Sequence, residues 1–221
     1  MARYIHTFLL EKEKIVNVTS LESVVHWIGG LAACATLVIL LAGIWLGTRR
    51  PAGRVTGRAP GWLSSPLFYL FSTTLFLGFS VALWRQLPLL LSMKARVLML
   101  ALGVIVYFPG LVFLLWGRLT LGKMYFVSTA FGAQLFAGHQ LVTRGPFALV
   151  RHPMYLGLIA SAVGSLLLYQ TWTTAAFAIF APFILFRAHR EEQALAGEFG
   201  EEWRAYSRRV PPFFPRLTKR E

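Results

Sequence analysis

The run from His139 to Tyr155, HQLVTRGPFALVRHPMY, is followed at the end of the last apolar segment by Arg187, Glu191 and Glu192. Together they gather imidazole, guanidinium, phenol and carboxylate groups in an otherwise lipid-soluble chain. Ionisable groups at the margin of a hydrocarbon phase are costly, and where they collect they tend to be functional. Pro153 suits the first position of a helix, where its missing N–H is not needed. That places His152 near the N-cap, beside backbone N–H groups suited to a carboxylate or other anion. Tyr155, about one turn on, offers a ring face to a cation or a hydroxyl to a ribose. Arg187, Glu191 and Leu195 share one helix face at i, i+4 and i+8. Arg187 and Glu191 read either as a surface ion pair of little weight or as the holders of a ligand's anionic and cationic groups. This chemistry fits a small, charged, water-soluble cofactor meeting a membrane-resident substrate.

Absences narrow the alternatives. No two glycines are separated by a single residue, so there is no GxGxxG loop, and there is no P-loop. His6, His26, His139, His152 and His189 form no HxxH or HxxxH pair, and the chain has no Asp, which argues against a metal site or a Ser-His-Asp relay. No acid stands at mid-membrane depth as ion-coupled transport would want. The single cysteine, Cys34, excludes an intrachain disulfide and reads as a small buried apolar residue.

The elements that must position these groups follow from composition. Of 221 residues, 56% are hydrophobic and 14% charged, against about 25% charged in ordinary globular proteins. All nine acids are Glu, and none lies between Glu22 and Glu191. The expectation is an all-α integral membrane protein forming a single domain over residues 1–221. Three spans, Val24–Leu46, Pro66–Trp84 and Val97–Trp116 (kinked at Pro109-Gly110), occupy 1–117. Residues 118–221 then hold a cofactor-binding helical hairpin and tail. The uncharged run Pro153–Phe186 is too long for one pass, and Gln170-Thr171-Trp172-Thr173-Thr174 divides it into the two short helices of the hairpin. Leu195, Phe199, Trp203 and Tyr206 recur at helical spacing among charges, an amphipathic helix stopped by Pro211-Pro212.

Arg49, Arg50, Arg54, Arg58, Arg118, Lys123, Arg144 and Arg151, with the eight basic residues after Phe186, set sixteen on one side against six on the other. Five spans result, with the N-terminus outside, the C-terminus cytoplasmic and the active site at the cytoplasmic face. Met124–Thr143 is also uncharged. Its Ser128, Thr129, Gln134, His139 and Gln140 favour a cytoplasmic or re-entrant segment over a sixth span. The net charge of +13 is explained by topology and anionic lipid headgroups rather than by nucleic acid. Gly43 and Gly47 make one small-xxx-small motif, weak evidence for a dimer.

LGKMYF (Leu121–Phe126), HQLVTRGPFALVRHPMYLG (His139–Gly157), EEQAL (Glu191–Leu195), FGEEW (Phe199–Trp203), Tyr206 and VPPFFP (Val210–Pro215) together resemble the isoprenylcysteine carboxyl methyltransferase family, which groups with the membrane phospholipid methyltransferases. The likeness covers the C-terminal half in order and spacing; the first three spans resemble the family only in kind. It implies an S-adenosylmethionine-dependent methyltransferase without a Rossmann domain, its cofactor enclosed between the last two spans and the tail. The implied cofactor contacts are His139, Gln140, Leu141, Val142, Phe147, His152, Pro153, Met154, Tyr155 and Glu191. Arg187 takes the position associated with a lipid or membrane-partitioned methyl acceptor. Phe147 and Trp203 stand where the family more often has tyrosine. A related RHP-x-Y pattern with a tail ending in VP occurs in the larger, NADPH-dependent sterol reductases. A lipid reductase and a non-catalytic lipid-binding protein are therefore the competing readings.

Overall fold

The computed structural model describes residues 2–48, 52–57, 65–125, 128–129, 132–136 and 138–214. Phe126 and Pro215 of the motifs, and the basic Arg49, Arg50, Arg58, Arg216, Lys219 and Arg220, lie outside the described residues. The helices among them are α1 (Ala2–Thr48), α2 (Pro66–Ala82), α3 (Met93–Leu121), α4 (Pro153–Tyr169), α5 (Trp172–Phe180) and α6 (Ile184–Arg209). Val16–Leu46 and Met93–Met124 are long and apolar enough to cross a membrane, and Leu67–Ala82 and Pro153–Tyr169 are shorter apolar helices. The molecule is a helical membrane protein. The 17 residues of α4 rise about 25 Å, somewhat short of a hydrocarbon core of roughly 30 Å.

Helices α3 and α4 form the packed centre. Lipid tails supply no hydrophobic drive for helix association, so close backbone approach has to hold the pair. Glycine permits it. A Cβ on Gly110 would lie 2.6 Å from Ser161 N, and one on Gly157 only 2.5 Å from Leu114 N. Pro109 lies inside α3, which continues as one helix through it. Helix α1 is tied to this pair by polar contacts. The Tyr107 hydroxyl donates to Gly29 O at 2.9 Å, the Tyr169 hydroxyl to His26 O at 2.8 Å, and His26 Nε2 to Leu168 O at 2.8 Å. Much of the rest of α1 is outward-facing, and Cys34 lies exposed there rather than buried as expected. Helix α1 packs along one side only.

The division of the last apolar run follows the polar stretch. Gln170 closes α4 in the left-handed region (φ 50), and Thr171 caps α5 in a reciprocal arrangement with Thr174. A short 3-10 turn, Ala181–Phe183, carries Pro182 and separates α5 from α6. Helix α6 then runs amphipathic from Ile184, with a kink at Gly200 (φ 49).

The all-helical expectation needs one correction. Strands β1 (Ala52–Gly57), β2 (Ser128–Thr129) and β3 (Gly132–Phe136) form an antiparallel sheet in the order β1-β3-β2. Val55 faces Gln134 and Gly57 faces Gly132 across β1 and β3. The described part of Met124–Thr143 is therefore a small sheet and loop, not a sixth span. The sheet joins the α1–α2 and α3–α4 connections at one end of the bundle. At the other end Leu87 N donates to Gln170 O at 2.8 Å and Trp172 N to Arg85 O at 3.0 Å, joining the α2–α3 and α4–α5 connections.

Candidate active site

At the sheet end of the bundle lies a cavity of about 230 Å3. His139, Gln140, Leu141, Val142, Phe147, His152, Pro153, Met154, Tyr155, Arg187 and Glu191 all line it. The sequence reading thus assembles at one place, drawn from the loop before α4, the first turn of α4 and the first turns of α6.

Helix α4 begins at Pro153 with His152 as its N-cap. The His152 ring stacks on Tyr155 (centroids 5.4 Å apart, planes 2° apart) and on Phe213 of the tail (5.3 Å). The two adjacent acids of α6 take different partners. Glu192 Oε1 accepts from His152 Nε2 at 2.9 Å and lies 3.0 Å from Arg151 Nη2. Glu191 Oε1 accepts a short hydrogen bond from the Tyr155 hydroxyl and lies 3.7 Å from Arg187 Nη2. The Arg187 guanidinium stands 5.7 Å from the centre of the Tyr155 ring. An aromatic face that receives a cation and a carboxylate beside it are therefore present together.

The backbone N–H groups expected to await an anion are partly engaged. Arg151 N donates to Pro211 O at 2.8 Å and His152 N to Pro212 O at 3.0 Å. The tail is thereby strapped across the start of α4 instead of leaving it open. Arg151 strengthens the strap: its Nη1 donates to Ser207 O at 3.1 Å, and its guanidinium lies 5.7 Å from the Trp203 ring. The Tyr206 hydroxyl donates to Phe147 O at 2.7 Å. Phe147, which also lines the cavity, is thereby tied to α6 through its carbonyl.

Glu192 and Tyr206, both outside the membrane spans, have shifted acidity. Burial pulls the Glu192 carboxyl up, but the His152 hydrogen bond and the Arg151 charge outweigh it and hold the group below the ordinary 4.5. Burial pushes the Tyr206 phenol up to about 12, against the Arg151 charge, so it stays a hydrogen-bond donor.

Several residues at the site escape the sequence reading. Tyr125, Arg151, Trp203 and Tyr206 line the cavity, as do Leu40 and Ile44 of α1. The hydroxyl of Tyr69 on α2 is buried with no hydrogen-bond partner among the described residues, within electrostatic reach of Arg187 and Tyr125. The RHPMY and FGEEW motifs contain Arg151 and Trp203, so a signal was present for those. For Leu40, Ile44 and Tyr69, in apolar spans, there was none.

Comparison with known proteins places this geometry. A nickel-cobalt-cadmium resistance protein of Alcaligenes xylosoxydans xylosoxydans is 36% identical over 84 residues, covering 36% of this chain and 38% of that protein. A cobalt-zinc-cadmium resistance protein of Cupriavidus metallidurans is 39% identical over 83 residues, covering 35% of this chain and 37% of the relative. Protein-S-isoprenylcysteine O-methyltransferase B of Arabidopsis thaliana is 35% identical over 79 residues, covering 35% and 40%. The chain spans two fifths or less of the length of these curated relatives. Among the described residues no group of three or more His, Cys, Asp and Glu gathers as a metal site. The model of the isoprenylcysteine carboxyl methyltransferase (ICMT) family matches residues 99–197, which carry α3, α4, α5 and the start of α6. Through that stretch, which supplies most of the cavity wall, the chain is similar to the isoprenylcysteine carboxyl methyltransferase family.

Proposed function

We propose that the chain is a membrane methyltransferase that uses S-adenosylmethionine to methylate a lipophilic or membrane-partitioned acceptor. One observation supports this above the others: residues from three separate stretches, 139–142, 147–155 and 187–191, line a single cavity. Held there by the residues of these stretches, the cofactor would supply an electrophilic methyl group on a sulfonium for direct displacement by the acceptor's lone pair, with the thioether as leaving group.

The chain's own groups fit that chemistry. Tyr155 offers a ring face to positive charge, as its contact with Arg187 illustrates. Glu191, oriented by the Tyr155 hydroxyl, is an acid for an ammonium. His139, Gln140, Leu141 and Val142, with Phe147, form the remaining wall for the nucleoside. Trp203, Tyr206 and the strapped tail keep water out. Arg187, one turn before Glu191, is placed for an acceptor's carboxylate or phosphate. Displacement by a carboxylate or thiolate needs no general base, so positioning and exclusion of water carry the catalysis. The distribution of basic residues supports a cytoplasmic position for this end of the bundle.

Two relatives are named for isoprenylcysteine and two for metal resistance, so the acceptor is stated at the level of its lipophilicity. Titration of the purified protein with S-adenosylhomocysteine and with NADPH tests the reading. Saturable binding of the first and none of the second is expected. The reverse would make it a reductase, and binding of neither would leave a non-catalytic lipid-binding protein.

A further inference from the structure

The cavity has a polar part and a membrane part. On each helix that lines it, a turn or two toward the hydrocarbon brings an apolar lining residue: Leu114 below Leu121 on α3, Leu158 below Tyr155 on α4, Ile184 below Arg187 on α6, Leu40 below Ile44 on α1. Three of these four helices contribute through residues 99–197, the stretch that matches the family model. Helix α1 is the exception. Leu40 and Ile44 lie outside that stretch and still form cavity wall.

Of the half-buried residues on this part of α1, Leu40 and Ile44 are the ones that line the cavity. Leu40 and Ile44 are half-buried, while Val38, Trp45 and Leu46 beside them are exposed. Gly43, on the same face, holds the helix close: a Cβ there would lie 2.3 Å from Arg118 Nη2. The Arg118 guanidinium in turn stands 4.6 Å from the ring of Tyr125, another cavity residue. Gly43 thus makes room for the Arg118 guanidinium, which lies between the α1 wall and Tyr125.

Relatives with such different names share similarity to about a third of this chain. The family-matched stretch, residues 99–197, carries the proposed cofactor contacts, and Leu40 and Ile44 lie outside it. From this we infer that Leu40 and Ile44 of α1 are specificity-determining residues, the wall against which the apolar portion of the acceptor lies and which limits its length and bulk. The inference rests on the methyltransferase reading above and adds to it the element that selects the acceptor.

The test uses the full chain in lipid nanodiscs, labelled S-adenosylmethionine, and N-acetylcysteines carrying S-geranyl, S-farnesyl and S-geranylgeranyl chains. Leu40→Ala and Ile44→Ala should shift the ratio of kcat/KM toward the longer chains by roughly tenfold or more, since a pocket wall discriminates on that scale for small changes in size. Leu40→Phe should shift it the opposite way. Affinity for S-adenosylhomocysteine, which also reports folding, should stay within about twofold in all three variants. An unchanged chain-length ratio in variants that turn over overturns the inference. So does loss of S-adenosylhomocysteine binding in both alanine variants, which would make α1 a support of the cofactor end. A wild-type protein that binds S-adenosylhomocysteine but methylates none of the series overturns this inference and leaves the cofactor reading in place. One that binds no S-adenosylhomocysteine removes the cofactor reading itself.

Discussion

Tyr155 joins the two acids' separate networks: its ring stacks on His152, which holds Glu192, while its hydroxyl donates to Glu191. Residue types and spacing made this cluster legible, but not its pairings. Adjacent acids on a helix point about 100° apart, and only the crossing of α4 and α6 decides which one meets His152. The pairings lead to two expectations. Arg187 lies nearer the hydrocarbon than Glu191 and only 3.7 Å from it, so it can serve the acceptor or merely steady the acid. As the acceptor's anchor, Arg187→Ala should lower methyl transfer by about ten- to a hundredfold, the scale of a lost charged hydrogen bond, with S-adenosylhomocysteine affinity nearly unchanged. Arg187→Lys should recover only part, because an ammonium lacks the guanidinium fork. Parallel loss of affinity and turnover would assign Arg187 the steadying role. Glu192 gives the second. Its pKa is depressed below 4.5 in the folded protein, so its ion pairs stabilise at higher pH and are lost as pH falls through the folded value. Thermal stability should hold from neutral pH down to about 4.5 and decline below it. Glu192→Gln should be less stable at neutral pH and lack that acid-side contribution. The same pH profile in both proteins would contradict the pairing.

Among the elements, those announced by local chemistry were the readable ones. Gln170 and Thr171 end α4 and cap α5 where the polar stretch interrupts the apolar run. The sheet was not readable: its central strand, GAQLF, is short and mostly apolar, and its partner lies in another loop, with Val55 opposite Gln134. The tail's attachment was hidden for a different reason. Pro211 and Pro212 have no N–H, and their part in the strap is purely as acceptors. The α3–α4 seam depends on absent side chains. Gly157→Val should cost about 1–3 kcal/mol by overpacking, because a Cβ there already meets the α3 backbone at 2.5 Å. Gly78→Ala is the control, since nothing lies within 4 Å of a Cβ at that position. Thermal melting in detergent should show a clear loss for the first and little change for the second. Equal melting temperatures would mean that the seam relaxes freely.

In the whole molecule, two loop pairings hold opposite ends of the bundle, and the site sits at the end closed by the sheet and tail. Helices α3 and α4 make the rigid centre. Helix α6 carries the acids back to the start of α4, and α1 closes the cavity from outside the family-matched stretch. The central claim is that one S-adenosylmethionine molecule occupies this cavity and touches α4 and α6 together. Calorimetric titration of His152→Ala and Glu191→Gln with S-adenosylhomocysteine addresses it most directly, with gel filtration and melting curves confirming that each variant is folded. Each substitution should weaken binding by about tenfold or more, the scale of a hydrogen bond to a charged group. Wild-type titration curves for both folded variants would place the cofactor elsewhere and contradict the account.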